Sequence, residues 1–472
     1  MSATFIGLIV LSMLVAFWPR RNRHHRQRAE EFFVASGRFG SGLFFFLAVG
    51  ETYSVATILG FPGGVYARGT GFVAWFLGYI LLSFPVGYFL NPWIWRAGRL
   101  YRAVTLPDLF RRHFDSRMLE LVVTLASILF LLPLGMMQFI GLDTVLRALG
   151  WQVPPLLLTA AGAGLAFATV AISGIRAPAR VAVLKDGLVL AAVLAVGIAA
   201  LELMRGPGSA VAALSPIPLP AASVSGDLFT ISTILLQAVG FCMVPQTCAA
   251  VFTARSVTTM RRAQVVMPLY MGLFPFLLVV ASVALDRRLH LASPNDVFPA
   301  MARLLLPGWM AGVALAAAAL SALVVLAGIC LALGPLVSRN LLPGLDGDGQ
   351  RRWSRLVMAI YLLLSIAGAA RSSQLMVAIN NLFYFGVTQS FPGLLAILLL
   401  PRARPAAIAA GLVAGDAVAI LLHAAGIQAG GINPGFIGLL ANASIMLCGS
   451  ALWPGPARIP VAHRLPRGSP AG

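Results

Sequence analysis

Apolar segments of about 20 residues recur from one end of this 472-residue chain to the other, with short polar breaks between them. At about 1.5 Å of rise per residue, each segment forms a helix long enough to cross the hydrocarbon core of a bilayer. The mean hydropathy is +0.89 and only 10% of the residues are charged. A water-soluble globular domain does not have this composition. The sequence therefore predicts an all-α, polytopic membrane protein.

The apolar pattern predicts about 13 transmembrane helices in a single membrane domain over residues 1–472. The predicted spans are residues 3–18, 41–62, 71–95, 118–146, 154–172, 182–204, 228–251, 265–285, 308–336, 353–369, 373–400, 406–424 and 433–453. The longest polar gap, residues 205–227, is rich in Pro, Gly and Ser and too short to form a core. No separate soluble domain is expected.

The net charge of +19 is spread over alternate loops, which argues against a nucleic-acid partner. Most of the 34 Lys and Arg residues lie in one set of connections: 20–38, 96–117, 173–185, 255–262, 339–355, 402–404 and 458–467. The positive-inside rule makes these connections cytoplasmic. We therefore expect a multi-pass protein of the bacterial inner membrane, surrounded by lipid, with its N-terminus outside and its C-terminus in the cytoplasm.

Residue types that carry covalent or metal chemistry are scattered. The four cysteines lie in apolar spans without CxxC spacing, and the six histidines are dispersed, so neither a disulfide nor a metal site or other cofactor is expected. Neither HExxH nor GxSxG occurs, and carboxylates within the spans are isolated in sequence. The chain is not expected to be an enzyme.

Two spans are interrupted near their centres. Gly50–Ser54 place a glycine, the carboxylate of Glu51, two hydroxyls and a tyrosine in the second span, and Gly240 and Pro245 bracket the middle of the seventh. The two spans are five helices apart and cross in opposite directions, as an inverted repeat would produce. Glycine and proline also simply kink membrane helices. A charge at this depth costs about 2.5–3.5 kcal/mol, however, so Glu51 favours a binding site at the breaks.

Several motifs resemble the sodium:solute symporter family: EEFFVASGR (30–38), GFPGG (60–64) and TLPDLF (105–110). The resemblance implies a LeuT-like fold with a 5+5 inverted-repeat core, which would occupy residues 41–400. An extra N-terminal helix and basic loop (1–40) would precede the core. Two further helices (401–454) and a disordered cytoplasmic tail (455–472) would follow it.

Four further motifs resemble bacterial monocarboxylate permeases: SGIRAPARVAVLKD (173–186), VPQT (244–247), VSRNLLPG (337–344) and TQSFPGLL (388–395). The expected function is secondary active transport of a small organic acid, such as lactate or pyruvate, by alternating access. Amides at the starts of half-helices would hold the carboxylate. The expected hydrogen-bond partners of the solute are Thr52, Ser54, Gln138, Gln246, Thr247, Tyr384 and Gln389.

The family resemblance also implies a sodium site, made from backbone carbonyls of the broken second span and two hydroxyls of the ninth. The matching positions are Gly50 and Tyr53 for the carbonyls and Val324 and Val325 for the hydroxyls. Valine offers no oxygen ligand, although Ser321 lies one turn away and is a substitute. The coupling ion is therefore H+ or Na+, and a proton carried by Glu51, whose pKa a low dielectric would raise, is the favoured alternative to sodium.

Two other functions are compatible with the sequence. A sodium-coupled symporter for an amino acid, proline or pantothenate would share the same fold. A transporter-like membrane sensor would need a cytoplasmic output surface, and the C-terminal tail is short.

Overall fold

The computed structural model describes residues 1–17, 42, 44–46, 53–69, 71–173, 176–204, 224–372, 375–427 and 429–464. These residues form helices and connecting turns, and none of them forms a β-strand. The predicted site residues Gly50, Glu51 and Thr52 lie outside the described residues.

The helices follow one another through the whole described chain. In order they are α1 (Ser2–Phe17), α2 (Phe61–Arg68), α3 (Gly71–Tyr101), α4 (Leu106–Phe114), α5 (Arg117–Ala148), α6 (Pro155–Ser173), α7 (Arg176–Met204), α8 (Val224–Met243), α9 (Pro245–Thr253), α10 (Val257–Tyr270), α11 (Phe274–Asp286), α12 (Val297–Leu305), α13 (Gly308–Pro335), α14 (Gly347–Arg371), α15 (Met376–Val387), α16 (Ser390–Leu399), α17 (Pro405–Ala424), α18 (Pro434–Leu452) and α19 (Val461–Arg464). The π-helical turns Ala56–Gly60 and Leu336–Leu341 precede α2 and extend α13.

Among the described residues, ten helical segments are long and apolar enough to cross a membrane. Some are pairs joined end to end, such as α10 with α11 and α15 with α16. The apolar helices Ser2–Phe17 and Thr159–Val170 are shorter, and the predicted span 41–62 is described only in part. The all-α membrane architecture is confirmed, whereas the count of 13 stays a prediction.

Helix α13 lies at the centre of the bundle. Its most apolar 18-residue window is 89% buried, more than that of any other described spanning helix. A run of alanines at 316–319 is fully enclosed, and α1, α5, α6, α7 and α14 pack around the helix. Small side chains let neighbouring backbones approach closely, which is how membrane helices gain packing energy in lipid.

Helix α1 packs against α13 and α7. The indole Nε1 of Trp151 donates to Ser2 Oγ at 2.9 Å, and Phe5 meets the same indole edge to face. At the other end of α1, Arg180 Nη2 donates to the carbonyl of Ala16 at 3.0 Å. The extra N-terminal helix therefore belongs to the folded bundle.

Helices α17 and α18 form a hairpin with backbone-to-backbone packing. A Cβ atom at Gly411 would lie 2.6 Å from the Asn442 carbonyl oxygen, and one at Gly415 would lie 2.8 Å from the Gly438 carbonyl oxygen. Asn442 Nδ2 donates to the backbone carbonyl of Gln389 at 2.7 Å. The hairpin is thereby tied to the start of α16.

Two buried carboxylates share one amide at the end of the bundle where α4 meets the end of α13. Asn340 Nδ2 donates to Asp108 Oδ1 at 2.9 Å and to Glu120 Oε1 at 2.8 Å. Its Oδ1 accepts from Thr105 Oγ1 at 2.8 Å. We call these four residues the carboxylate cluster. It joins α4, α5 and the π-helical turn after α13 through hydrogen bonds to carboxylates, and such bonds are among the strongest in proteins.

Part of the segment predicted as a disordered tail is folded. Arg458 Nη2 donates to the Phe114 carbonyl at 2.9 Å and its guanidinium lies over the Phe114 ring. Residues Val461–Arg464 then form α19. The expectation of disorder is wrong for residues 455–464, because these contacts anchor them against α4; residues 465–472 lie outside the described part.

Candidate functional site

A small cavity opens between the two broken helices in the middle of the bundle. Its lining comes from both breaks and from α3, α5, α8, α13 and α15: Ser54, Ala56, Thr57, Tyr79, Ile80, Leu134, Met137, Phe241, Val244, Gln246, Thr247, Val325, Asn380, Phe383 and Tyr384. About 40 Å³ of the cavity can hold the centre of a water molecule. This is room for about three waters, at roughly 10–15 Å³ each on this measure.

The first break ends at Ser54. The Ser54 carbonyl accepts from the amides of Thr57 at 3.0 Å and Ile58 at 3.2 Å, which starts the wide turn Ala56–Gly60. Val55 is already helical, at φ −59° and ψ −30°, and the amides of Val55 and Ala56 lie in the first turn, where a helix has no carbonyl of its own to offer them. A half-helix therefore begins at the cavity wall.

The second break is the single non-helical residue Val244 between α8 and α9. Its φ of −57° and ψ of 126° end one helix, and Pro245 begins the next with a nitrogen that has no proton. The first bond within α9 runs from the Cys248 amide to the Val244 carbonyl, at 2.9 Å. The Gln246 and Thr247 amides thus lie in the first turn of α9, where the helix dipole favours an anion.

Polar side chains and aromatic rings complete one side of the cavity. The hydroxyl of Tyr79 is hydrogen-bonded to the side chain of Asn380, and its ring meets that of Tyr384 edge to face at 5.8 Å between centroids. The buried hydroxyl of Thr247 has no hydrogen-bond partner among the described residues. Its proton is therefore available for a hydrogen bond within the cavity.

No ionised side chain is among the described residues that line this cavity. A negatively charged solute here would be balanced by the two half-helix starts and by neutral donors, which is a recurrent arrangement in transporters built on inverted repeats. The described residues also contain no group of three or more His, Cys, Asp or Glu side chains that could hold a metal ion.

A second, wider cavity lies on the other face of α15. It offers about 590 Å³ to the centres of water molecules and is bordered by Arg68, Phe229, Asn381 and His423, among others. Asn380 borders the central cavity and Asn381 borders the wider one, so a single helix separates the two. Gln237 Nε2 donates to Asn381 Oδ1 at 2.5 Å and links α8 to α15 there.

Comparison with known proteins identifies the family. The sequence model of the sodium:solute symporter family matches residues 32–401. The chain belongs to this family. A monocarboxylate transport permease protein of Rhizobium johnstonii is 30% identical over 349 residues, which are 72% of this chain and 70% of that protein. The uncharacterized symporter YhjB of Bacillus subtilis is 26% identical and is matched over 94% of this chain and 96% of its own length.

Solved structures show the same fold. A Na+-coupled sialic acid symporter, in its substrate-bound outward-open state, superposes with a TM-score of 0.80 over 97% of this chain and 98% of its own, at 16% identity. MhsT in complex with L-phenylalanine gives a TM-score of 0.55 over 86% of this chain and 97% of its own, at 15% identity. The LeuT-like fold expected from the sequence is confirmed, and the protein is a multi-pass symporter for a solute and a coupling ion.

The structure brings together four of the residues expected to bind the solute: Ser54, Gln246, Thr247 and Tyr384 all line the central cavity. Gln138 is fully buried one residue beyond Met137, and its Nε2 lies 3.4 Å from the Leu134 carbonyl. Gln389 Nε2 bonds to the Phe385 and Gly435 carbonyls, where α16 meets α18. Neither Gln138 nor Gln389 borders the cavity.

Three polar lining residues were not predicted from the sequence. Thr57, Tyr79 and Asn380 face the cavity alongside the predicted set. A single hydroxyl or amide in an apolar span is common in membrane helices, so its sequence position alone does not single it out.

The predicted sodium position has an unexpected occupant. Lys185 Nζ on α7 lies 3.2 Å from the carbonyl oxygen of Tyr53, and it forms an ion pair with Asp186. The sequence places Lys185 both at the end of the connection 173–185 and in the predicted span 182–204; in the structure it lies within α7, which already begins at Arg176, and its side chain is fully buried. Ser321, the proposed substitute ligand, donates its hydroxyl to the Ala317 carbonyl at 2.8 Å.

Proposed function

We propose that this symporter takes up a small monocarboxylate, such as lactate or pyruvate, by alternating access, driven by protons rather than by sodium. It would work in a bacterial inner membrane with its N-terminus outside and its C-terminus in the cytoplasm. The observation that carries the proposal is the central cavity, where two half-helix starts meet in an uncharged space with room for about three waters.

The two sides of the cavity suit the two ends of such a solute. Amides at both breaks and the Thr247 hydroxyl offer donors to a carboxylate. The opposite side is apolar and includes Leu134, Met137 and Val325. A three-carbon acid has a carboxylate for the first side, a methyl group for the second, and a bulk of the same order as three waters.

Two further observations agree with an anionic solute. The wider cavity beyond α15 contains Arg68, whose charge raises the local concentration of anions. The monocarboxylate transport permease protein of Rhizobium johnstonii is also a relative at 30% identity. Both support an acid over a zwitterion as the transported molecule.

The choice of a proton follows from the ligands that sodium would lack. Val324 and Val325 stand at the positions where the family resemblance implies hydroxyls, and valine has no oxygen to offer. Glu51 is the proposed proton carrier. In Glu51→Gln, which cannot lose a proton, we expect exchange of bound solute to continue and accumulation to stop; accumulation at the wild-type level would exclude Glu51 from this role.

Transport by purified protein in liposomes tests the proposal directly. Uptake of radiolabelled lactate, pyruvate and proline is measured with proton and sodium gradients imposed separately. We expect an inward proton gradient to drive lactate or pyruvate accumulation and a sodium gradient to have no effect. Stimulation by sodium alone, or uptake of proline without the acids, would refute the proposal.

A matched pair of variants tests the cavity itself. Thr247→Val removes a lining hydroxyl, while Thr253→Val makes the same change at the end of α9, where the hydroxyl bonds to the Ala250 carbonyl at 2.6 Å. A hydrogen bond to a charged group contributes about 1.5–3 kcal/mol, so KM for lactate should rise by about 10- to 100-fold in the first variant. Equal KM values in the two variants would place the solute elsewhere.

A further inference from the structure

We propose that the ammonium group of Lys185 takes the place of a coupling sodium ion at the first helix break, so that this symporter works without sodium. Lys185 Nζ lies 3.2 Å from the Tyr53 carbonyl oxygen and pairs with the Asp186 carboxylate. Both side chains are 0% exposed. The inference deepens the proposed function and rests on it in one respect, namely that the protein carries out coupled uptake.

The Tyr53 carbonyl is where a coupling cation would be expected on general grounds. In transporters with broken helices, carbonyls of the unwound backbone coordinate the coupling ion. Here the amides of Thr57 and Ile58 both bond to the Ser54 carbonyl. The preceding carbonyl, that of Tyr53, is left to accept from Lys185.

Asp186 supplies the negative charge that a cation at this position needs. Its Oδ1 forms the ion pair with Lys185, and its Oδ2 has no hydrogen-bond partner among the described residues. The phenol of Tyr270, at the end of α10, interacts electrostatically with the same carboxylate. A buried carboxylate requires a positive partner, and Lys185 provides one that is covalently attached.

A sodium ion would find few oxygens beyond these. Helix α13 packs directly against α7, but it presents Val324 and Val325 where the family resemblance implies hydroxyls. The nearby Ser321 hydroxyl donates within its own helix, to Ala317. A hard cation needs several oxygen ligands at once, whereas an ammonium group on a side chain is held in place by its stem.

The amino-acid usage of the chain adds an independent observation. Lys185 is the only lysine among the 34 basic residues; every other one is arginine. An ammonium is a compact point charge, while a guanidinium is a broad planar fork. A chain that uses arginine at every other basic position therefore has its single compact cation at the helix break.

Melting measurements in lipid nanodiscs test this inference without reference to transport. Lys185→Ser leaves Asp186 and the Tyr53 carbonyl facing the vacated position, and Arg180→Gln on the same helix is the matched control. We expect sodium chloride, compared with choline chloride, to raise the melting temperature of Lys185→Ser by several degrees and to leave wild type and Arg180→Gln unchanged. Sodium stabilisation of wild type, or a folded Lys185→Ser that does not respond, would overturn the inference.

The single lysine permits a second test that needs no variant. Full-length protein labelled with 15N-lysine and placed in bilayers gives one side-chain Nζ resonance, which must be that of Lys185. We expect an ammonium signal that does not change when choline is replaced by sodium. A signal that shifts or splits with sodium would show that the ion reaches this position and would refute the proposal. If both tests succeed while lactate uptake fails, only the proposed solute is wrong.

Discussion

Replacing Asn340 by leucine tests whether the carboxylate cluster holds one end of the bundle together. The side chain is fully buried, and leucine keeps the branched shape and the number of heavy atoms of asparagine, but the variant loses both N–H donors, to Asp108 and to Glu120. Each carboxylate retains other donors: the Val104 amide at 2.9 Å for Asp108, and Arg117 Nη1 at 2.6 Å for Glu120. The loss is therefore one hydrogen bond to each charged group, together with the bond that Asn340 Oδ1 accepts from Thr105 Oγ1.

The two bonds to the carboxylates correspond to about 3–6 kcal/mol, at about 1.5–3 kcal/mol each, and they set the scale of the effect. With an unfolding entropy of about 2.1 cal/mol/K per residue, a chain of this length loses about 1 °C of melting temperature per kcal/mol. We expect Asn340→Leu to melt about 3–6 °C below wild type in nanodiscs, as followed by tryptophan fluorescence.

Asp348→Asn is the control for this variant, because its ion pair with Arg351 is 2.8 Å long but the Asp348 side chain is 86% exposed. Exposed pairs contribute about 0–1 kcal/mol, so its melting temperature should fall by about 1 °C or less. If Asn340→Leu melts as high as this control, water satisfies the two carboxylates and the cluster does not hold the bundle end.

Three other outcomes follow from the packing and the charges. Gly386→Ala would place a Cβ inside the Phe130 ring, whereas a Cβ at Gly187 meets nothing within 4 Å; we expect only the first variant to lose folded protein in size-exclusion chromatography. Gly240→Ala would bring a Cβ against Thr388 Oγ1 and to 2.8 Å from Tyr384 Cδ1; lactate uptake should fall while expression is retained, and unchanged uptake would show that both side chains are free to shift. Burial, with Arg458 and Arg464 nearby, lowers the pKa of His113 to about 4. Folding thus favours the neutral form of His113, so the melting temperature of wild type should fall as the pH is lowered from about 6.5 to about 4. The melting temperature of His113→Gln should fall less over the same range. Parallel pH profiles of the two proteins would contradict this.

The fold was predictable because lipid imposes one requirement on every span, namely an apolar helix long enough to cross it. The second break was predictable for a related reason. Pro245 cannot continue a helix, and Gln246 and Thr247 are polar residues directly after it. These are local properties, which a single sequence displays.

The remaining lining residues depend on which side of a helix faces inward. Tyr79 lies in a 31-residue apolar helix, and only the packing of α3 against its neighbours turns this residue towards Asn380. The burial of Lys185 was not predicted, for a different reason. A charge a few residues before an apolar run is usually a loop residue, and only the tertiary contact with the Tyr53 carbonyl shows otherwise.

The hairpin of α17 and α18 is an internally rigid unit, so the movement of other helices can be measured relative to it. Because Gly411 and Gly415 bring the backbones into direct contact, a shift of one residue along either helix would place a side chain in that contact. The hairpin and the start of α16, joined through Asn442 and Gln389, should therefore turn as one body. A fluorophore on this hairpin and a second one on α2 would report opening and closing of the carrier as a single changing distance.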